Sequence, residues 1–268
     1  MRIIMPVYTQ PPMNTFCWME HCSGDKEATK NFYQSVFGWN IEDMKMEGGE
    51  YTIFRLKGAM VAVMYQMKDD RKAAGVKPHW NLYAAVQDAR GAAKRCLELG
   101  GKLHGEPMEH DGEVYANVED NGGVRFCLWQ PKAQPDHKMI FGEPSAMCWS
   151  ELYSRDSTKS KSFYTSLLGW QAEPFQGGPM PYTIFSIGDG KQGFGGMIEI
   201  TAQMQGMPSQ WIPYIATMDA HQTARKFAEA GGKIWMGPEA IDNVGTLAIG
   251  QDNQGAPIAF IKPHPPAG

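Results

Sequence analysis

The sequence predicts an α+β protein of two tandem domains, each containing two βαβββ modules. Three observations predict it. The phrase "CWMEHCSGDKEATKNFYQSVFGW", beginning at Cys17, returns as "CWSELYSRDSTKSKSFYTSLLGW", beginning at Cys148. The spacing then holds far beyond the phrase. Cys17 and Cys148, Tyr51 and Tyr182, Trp80 and Trp211, and Gly100 and Gly231 all stand 131 positions apart, and one extra residue enters only where "DNGG" at 120–123 faces "DNQG" at 252–255. A unit of roughly 130 residues is too long for a solenoid repeat and suits an independent domain. Within each unit, finally, a strand followed by a helix and three more strands occurs twice.

The first copy gives the elements in order. "FCWMEHC" alternates as a half-buried strand, and Asp25 is placed to cap a helix whose Phe32 and Val36 share one face until Gly38 ends it. "WNIEDMKM", "EYTIFRL" and "AMVAVMYQM" read as strands, with Gly48-Gly49 and Gly58 as turn material. The order then begins again. "WNLYAAV" is a strand, "DARGAAKRCLELGG" a helix capped by Asp88 with Gly100 past its end, and "KLHGEPMEH", "EVYANVED" and "VRFCLWQ" are strands. The expected boundaries are 1–130 for the first domain and 146–268 for the second. The linker between them is 131–145, "PKAQPDHKMIFGEPS", punctuated by Pro131, Pro135 and Pro144.

Bulk composition excludes several function classes. Lys and Arg number 25 against 29 Asp and Glu, a net charge of -4, which leaves no basic surplus to neutralise a phosphate backbone; nucleic acid is not an expected partner. No stretch approaches the roughly 18 apolar residues of a membrane span, and "MRIIMPVYTQPP" carries no apolar run of signal-peptide length, so a soluble cytoplasmic protein is expected. The five cysteines form no Cys-x-x-Cys pair and suggest neither a disulfide framework nor a zinc knuckle. "GFGG" at 193–196 precedes a strand rather than a helix and reads as a tight turn, not a phosphate loop.

The module order, the first-strand phrase ending in "FY…GW", the "LGGK" that closes the second helix and the "DN-x-G" before the last strand together resemble the vicinal oxygen chelate superfamily of glyoxalases, bleomycin-resistance proteins and extradiol dioxygenases. The resemblance runs through both copies. It implies that two modules curve one mixed sheet into a cup, with helices outside and a ligand cleft on the concave face. It also implies a divalent metal, held by a His, Gln or Glu seven residues before the first-strand Asp and by a Glu in the last strand of each module. Here those positions carry Trp18, Ala62 or a neighbour, Asn81 and Cys127 in the first copy, and Trp149, Glu199, Ile212 and Ala259 in the second. Only Glu199 is an ordinary ligand, so no cofactor is expected, with a divalent metal kept as the alternative.

Strand alternation then places Glu20 and Cys22 beside Trp18 on the cleft face, and Glu151 and Tyr153 beside Trp149. His21 points the other way, and His79 turns inward only on a shifted register. Asn81 and Tyr83 answer to Ile212 and Tyr214, while Tyr51 and Tyr182 stand at the rim. An indole suits a planar ligand that stacks, although it is also common core material. Glu20 and Glu151 are the candidate catalytic or anchoring carboxylates, since a carboxyl buried in such a cleft has its pKa raised into a range useful for proton transfer. The expected partner is a small aromatic or largely apolar molecule. Three readings stand: a metal-free binding protein; a lyase, isomerase or dioxygenase-type enzyme, metal-dependent or using a cleft glutamate; or a chain in which one copy has lost its pocket. The protein is expected to be a monomer or homodimer, because an internal duplication can replace a dimer.

Overall fold

The computed structural model describes residues 7–8, 11–46, 49–133, 138–176, 180–190, 193–204 and 206–264. The four principal helices start in one way. Asp25, Asp88, Asp156 and Asp219 each stand at the N-cap, where the side chain accepts the backbone N–H of Ala28, Gly91, Lys159 and Gln222, respectively. Each cap satisfies a donor that the helix leaves unpaired, which is worth about 1 kcal/mol. Gly38 and Gly169 end the helices Lys26–Phe37 and Ser157–Leu168 in the left-handed conformation, where a Cβ would be strained.

Each copy builds its own sheet. In the first, strands Phe16–Ser23 and His79–Ala85 form the central antiparallel pair that joins the two modules; Ala59–Gln66 lies parallel to the former and Arg125–Gln130 parallel to the latter. In the second, Met147–Ser154 and Gln210–Ala216 take the central places, flanked by Gly193–Glu199 and Pro257–Pro263. The clefts therefore form within the copies. The chain is of the α+β class, with a mixed sheet in each half.

Four details depart from the sequence reading. The linker is not wholly a connector: Met139–Ile140 pairs with Val7–Tyr8 and joins the first sheet beside Met60, while Pro135 lies outside the described residues, as does Gly48. "KLHGEPMEH" divides into two short strands, Lys102–Leu103 and Met108–His110. An unanticipated short helix, Asp69–Ala73, follows the Ala59–Gln66 strand. Lastly, "GFGG" is no turn; its glycines lie inside the strand Gly193–Glu199, where a Cβ on Gly195 would crowd Ser150 and one on Gly196 would run into the Tyr182 ring.

The principal core sits on the sheet faces opposite the clefts, and it is continuous across both copies. Phe16 contacts Trp170 and Trp211, and Phe32 meets Phe227 edge-on at 5.1 Å. The helices pack on these same faces, so Lys26–Phe37 meets Ala220–Glu229 and Ala89–Glu98 meets Ser157–Leu168. They flank the junction between copies instead of lying wholly outside.

The repeated words "FY", "GW" and "DN-x-G" belong to this junction. Tyr33 donates to Asp252 at 2.8 Å and Tyr164 to Asp120 at 2.9 Å, so each copy's helix is tied to the other copy's last hairpin. Trp80 and Trp211 donate in turn to those tyrosines. One member breaks the symmetry: His21, fully buried, pairs with Asp252 at 2.8 Å, whereas Leu152 holds the matching place near Asp120. Burial is the largest influence on Asp252 and raises it, but the bond and charge of His21 with the bonds from Ala256 and Tyr33 together hold it below the ordinary carboxylate range, while burial raises Asp120.

Candidate functional site

Strand register decides what faces each cleft. In the first copy Trp18 pairs with Tyr83, Glu20 with Asn81 and Cys22 with His79, so all six point to the cleft side. Cys127 joins them beside Tyr83, and Val63 lies beside Glu20. In the second copy Trp149 pairs with Tyr214 and Glu151 with Ile212, and Gly196 takes the place next to Glu151. A bulge at Cys17 and another at Cys148 precede the tryptophans and turn them inward.

The two glutamates then meet different fates. Glu20 and Trp18 are only partly buried, whereas their counterparts Glu151 and Trp149 are nearly sealed, so the first cleft is the more open of the two. Burial raises the pKa of Glu20 to about 7, against the pull of hydrogen bonding from Tyr83 and Asn81 and the charge of Arg71. Tyr51 stays at the rim, half-buried, with its ring centroid 6.2 Å from that of Tyr65. Arg71, on the short unanticipated helix, donates to the Tyr65 hydroxyl at 2.8 Å.

The second cleft is shut. Trp149, Glu151, Tyr153 and Tyr214 are exposed by only 6, 5, 3 and 3%. Tyr214 donates to Glu151 Oε1 at 2.6 Å, and Tyr153 and Tyr182 also bond to that carboxyl. Trp149 Nε1 donates to the Tyr182 hydroxyl at 2.9 Å. Burial still raises Glu151, but three phenols satisfy it. Met204, Met207 and Ile200 pack against the same apolar cluster. Tyr182 can lean in because Gly196 has no side chain; in the first copy Val63 fills the matching place and Tyr51 is kept away.

Further residues of the first cleft escaped the sequence reading. Tyr115 crosses Tyr83 edge-on, and its hydroxyl bonds to Glu113. Glu113 Oε1 and Trp129 Nε1 are buried and have no hydrogen-bond partner among the described residues. The alternation of "EVYANVE" and "RFCLWQ" carried the signal, since Tyr115 and Trp129 pair on the cleft side. Met139 packs among Cys17, Tyr83, Cys127 and Trp129 on that face. Its origin in the predicted linker hid it.

Glu199 is not in the second cleft. It pairs with Ser154, on the face opposite Glu151, is exposed, and accepts from the Ser157 hydroxyl. An indole, an amide and a buried thiol remain at the family's ligand positions in the first cleft, and an indole with aliphatic residues in the second. Those donors do not fit a divalent ion, and among the described residues no three His, Cys, Asp or Glu side chains converge as a ligand set.

Comparison with known proteins agrees with this architecture. The model of the Glyoxalase/Bleomycin resistance protein/Dioxygenase superfamily matches residues 18–128. CFP32 of Mycobacterium bovis, whose name assigns it provisionally to the glyoxylases, is 29% identical over 97% of this chain and 99% of its own. The anthracycline biosynthesis protein DnrV of Streptomyces peucetius is 34% identical over 43% of this chain and 46% of its own. Among solved structures, the Mn(II)-bound glyoxalase of Novosphingobium aromaticivorans superposes with a TM-score of 0.63 at 14% identity, covering 91% of this chain and 80% of that one. The chain is thus glyoxalase-like in sequence, and its fold resembles that of the vicinal oxygen chelate class. The first copy matches the superfamily's model, and the second repeats the architecture with a sheet of its own. No helix among the described residues is long and apolar enough to cross a membrane.

Proposed function

We propose that the first cleft binds a small aromatic or largely apolar molecule, with Trp18 as a flat wall and Glu20 as the polar group that meets the ligand. The second cleft, on this reading, is a structural element. One observation carries the proposal: Glu20 is a residue only partly buried whose carboxyl has its pKa raised to about 7, whereas its counterpart Glu151 is nearly sealed and bonded by three tyrosines. A carboxyl poised near neutrality can anchor a ligand amine or hydroxyl, or take a proton from it. Tyr51, Tyr65 and Tyr83 add amphipathic surface around it.

Because the donor set does not fit a divalent ion, binding on this reading needs no metal. A second reading has support from the same group: Glu20 as general acid or base in a proton-transfer reaction.

The test is a calorimetric screen of flat aromatic compounds against the wild type, Glu20→Gln and Glu151→Gln, with metal content measured on protein purified without chelator. Binding that weakens about tenfold in Glu20→Gln and is unchanged in Glu151→Gln is expected, since a charge-assisted hydrogen bond is lost only in the first. Equal loss in both variants would sink the assignment of one cleft. Stoichiometric metal would sink the metal-free reading.

A further inference from the structure

A second cavity, of about 240 Å³, lies where the two copies meet, and its lining is unevenly charged. Lys77, His79 and Arg125 come from the first copy; the second copy contributes Ser209 and Gln210, and the tryptophans Trp80 and Trp211 stand between them. No carboxylate lines it. That is notable in a chain with a net charge of -4. Arg125 reaches its nearest acid, Glu119, at 3.8 Å, and Glu119 is already engaged by Lys102 at 2.7 Å and His104 at 3.0 Å. Arg125 therefore keeps most of its hydrogen-bonding capacity for the cavity.

His79 adds no donor to this set. Its Nδ1 lies 2.7 Å from the Lys77 carbonyl, an acceptor, so Nδ1 carries the proton and Nε2 is an acceptor in the neutral ring. Burial lowers the His79 pKa and the cations of Arg71 and Arg125 lower it further, which keeps the ring neutral and leaves Lys77 and Arg125 as the charged donors. Asymmetry between the copies argues that the charge is local rather than a by-product of the fold. The residues 131 or 132 positions on from Lys77, His79 and Arg125 are Pro208, Gln210 and Pro257, and the last two line the same cavity, so the duplicated half supplies its neutral wall.

We infer that this junction cavity is an anion site that takes a phosphate or carboxylate group, clamped by Lys77 and Arg125 with Gln210 and Ser209 on the facing wall. The volume holds a free inorganic anion or the charged end of a small organic acid. Asn81 lines the cavity and also hydrogen-bonds to Glu20, so the second source would place the organic body toward the first cleft. The anion site itself does not depend on the proposed role of Glu20.

Calorimetric titration of the full-length protein with inorganic phosphate, and separately with phenyl phosphate, tests it at two salt concentrations. Phosphate is expected to bind the wild type and Glu20→Gln alike, to bind less well at higher salt, and to weaken about tenfold in the double variant Lys77→Gln, Arg125→Gln. Arg125→Lys, which keeps the charge, should retain part of the affinity, and melting temperatures report whether each variant is folded. Tighter binding of phenyl phosphate than phosphate, lost in Glu20→Gln, identifies an organic acid as the source; equal binding identifies the free anion. Absence of phosphate binding to the wild type, or undiminished binding by the folded double variant, overturns the site. Failure of the aromatic screen alone leaves phosphate binding intact and counts against the Glu20 reading only.

Discussion

The first and second clefts share a Trp, a Glu and a Tyr at equivalent places, yet one leaves its glutamate only partly buried and the other seals it beneath three phenols. The difference traces to one cross-strand neighbour. Val63 beside Glu20 holds the rim tyrosine off; Gly196 beside Glu151 lets Tyr182 fold over the carboxyl and accept from Trp149. Matching motifs thus pack differently when the residue next to them changes volume. Duplication conserved the parts and left the packing free to diverge.

The largest expected effect comes from placing the first copy's neighbour in the second. Gly196→Val drives a side chain into the space of the Tyr182 ring, and overpacking of this kind should cost about 3 kcal/mol. Urea unfolding measures it. A variant as stable as the wild type would show that the glycine does not hold the second cleft shut.

Titration of Glu20 should follow in size. Its folded pKa, about 7, lies above the ordinary value of 4.5, so between these limits the folded protein binds the extra proton. Stability from this group is therefore complete below about pH 4.5 and falls as pH rises toward 7. Glu20→Gln removes the penalty. It should be more stable than the wild type by roughly 2 kcal/mol at pH 8, after allowance for partial exposure, and near parity at pH 4.5. A constant difference across this range would contradict the raised proton affinity.

Removing the hydroxyl of Tyr182 leaves the buried Trp149 N–H without an acceptor and takes one phenol from Glu151. Tyr182→Phe should lose about 1 to 2 kcal/mol by thermal or chemical denaturation. The smallest effect is expected for Tyr51→Phe, within about 0.5 kcal/mol, because Tyr51 stands at a half-exposed rim. Equal losses from the two tyrosines would erase the distinction between the clefts.

Much of the fold was legible in the residues. The Asp caps, the alternation of "FCWMEHC" and the spacing of 131 are local or periodic signals, and each of the four capping aspartates sits where such a signal puts it. Subtraction also brought Trp18, Glu20 and Tyr83 together, and with them Trp149, Glu151 and Tyr214, because cleft faces follow from alternation along paired strands. Glu199 failed for a related reason. It stands three residues beyond Gly196, an odd step along the strand, and so points to the face opposite Glu151.

A slip of one strand hid the state of the clefts. Subtraction by 131 sets Gly196 against Tyr65, but the sheets set it against Val63, since the Gly193–Glu199 strand runs two residues out of the common spacing. Nor could spacing assign "FY" and "DN-x-G" to the junction, where their contacts lie 219 and 44 residues apart in the chain. By itself the sequence determined the modules, their caps and the faces of their strands, because those depend on neighbours a few residues away and on a repeated pattern. Which cleft stays open, what binds the copies together and where positive charge collects were decided only in the tertiary structure, because each depends on side-chain volume and charge meeting across strands remote in sequence.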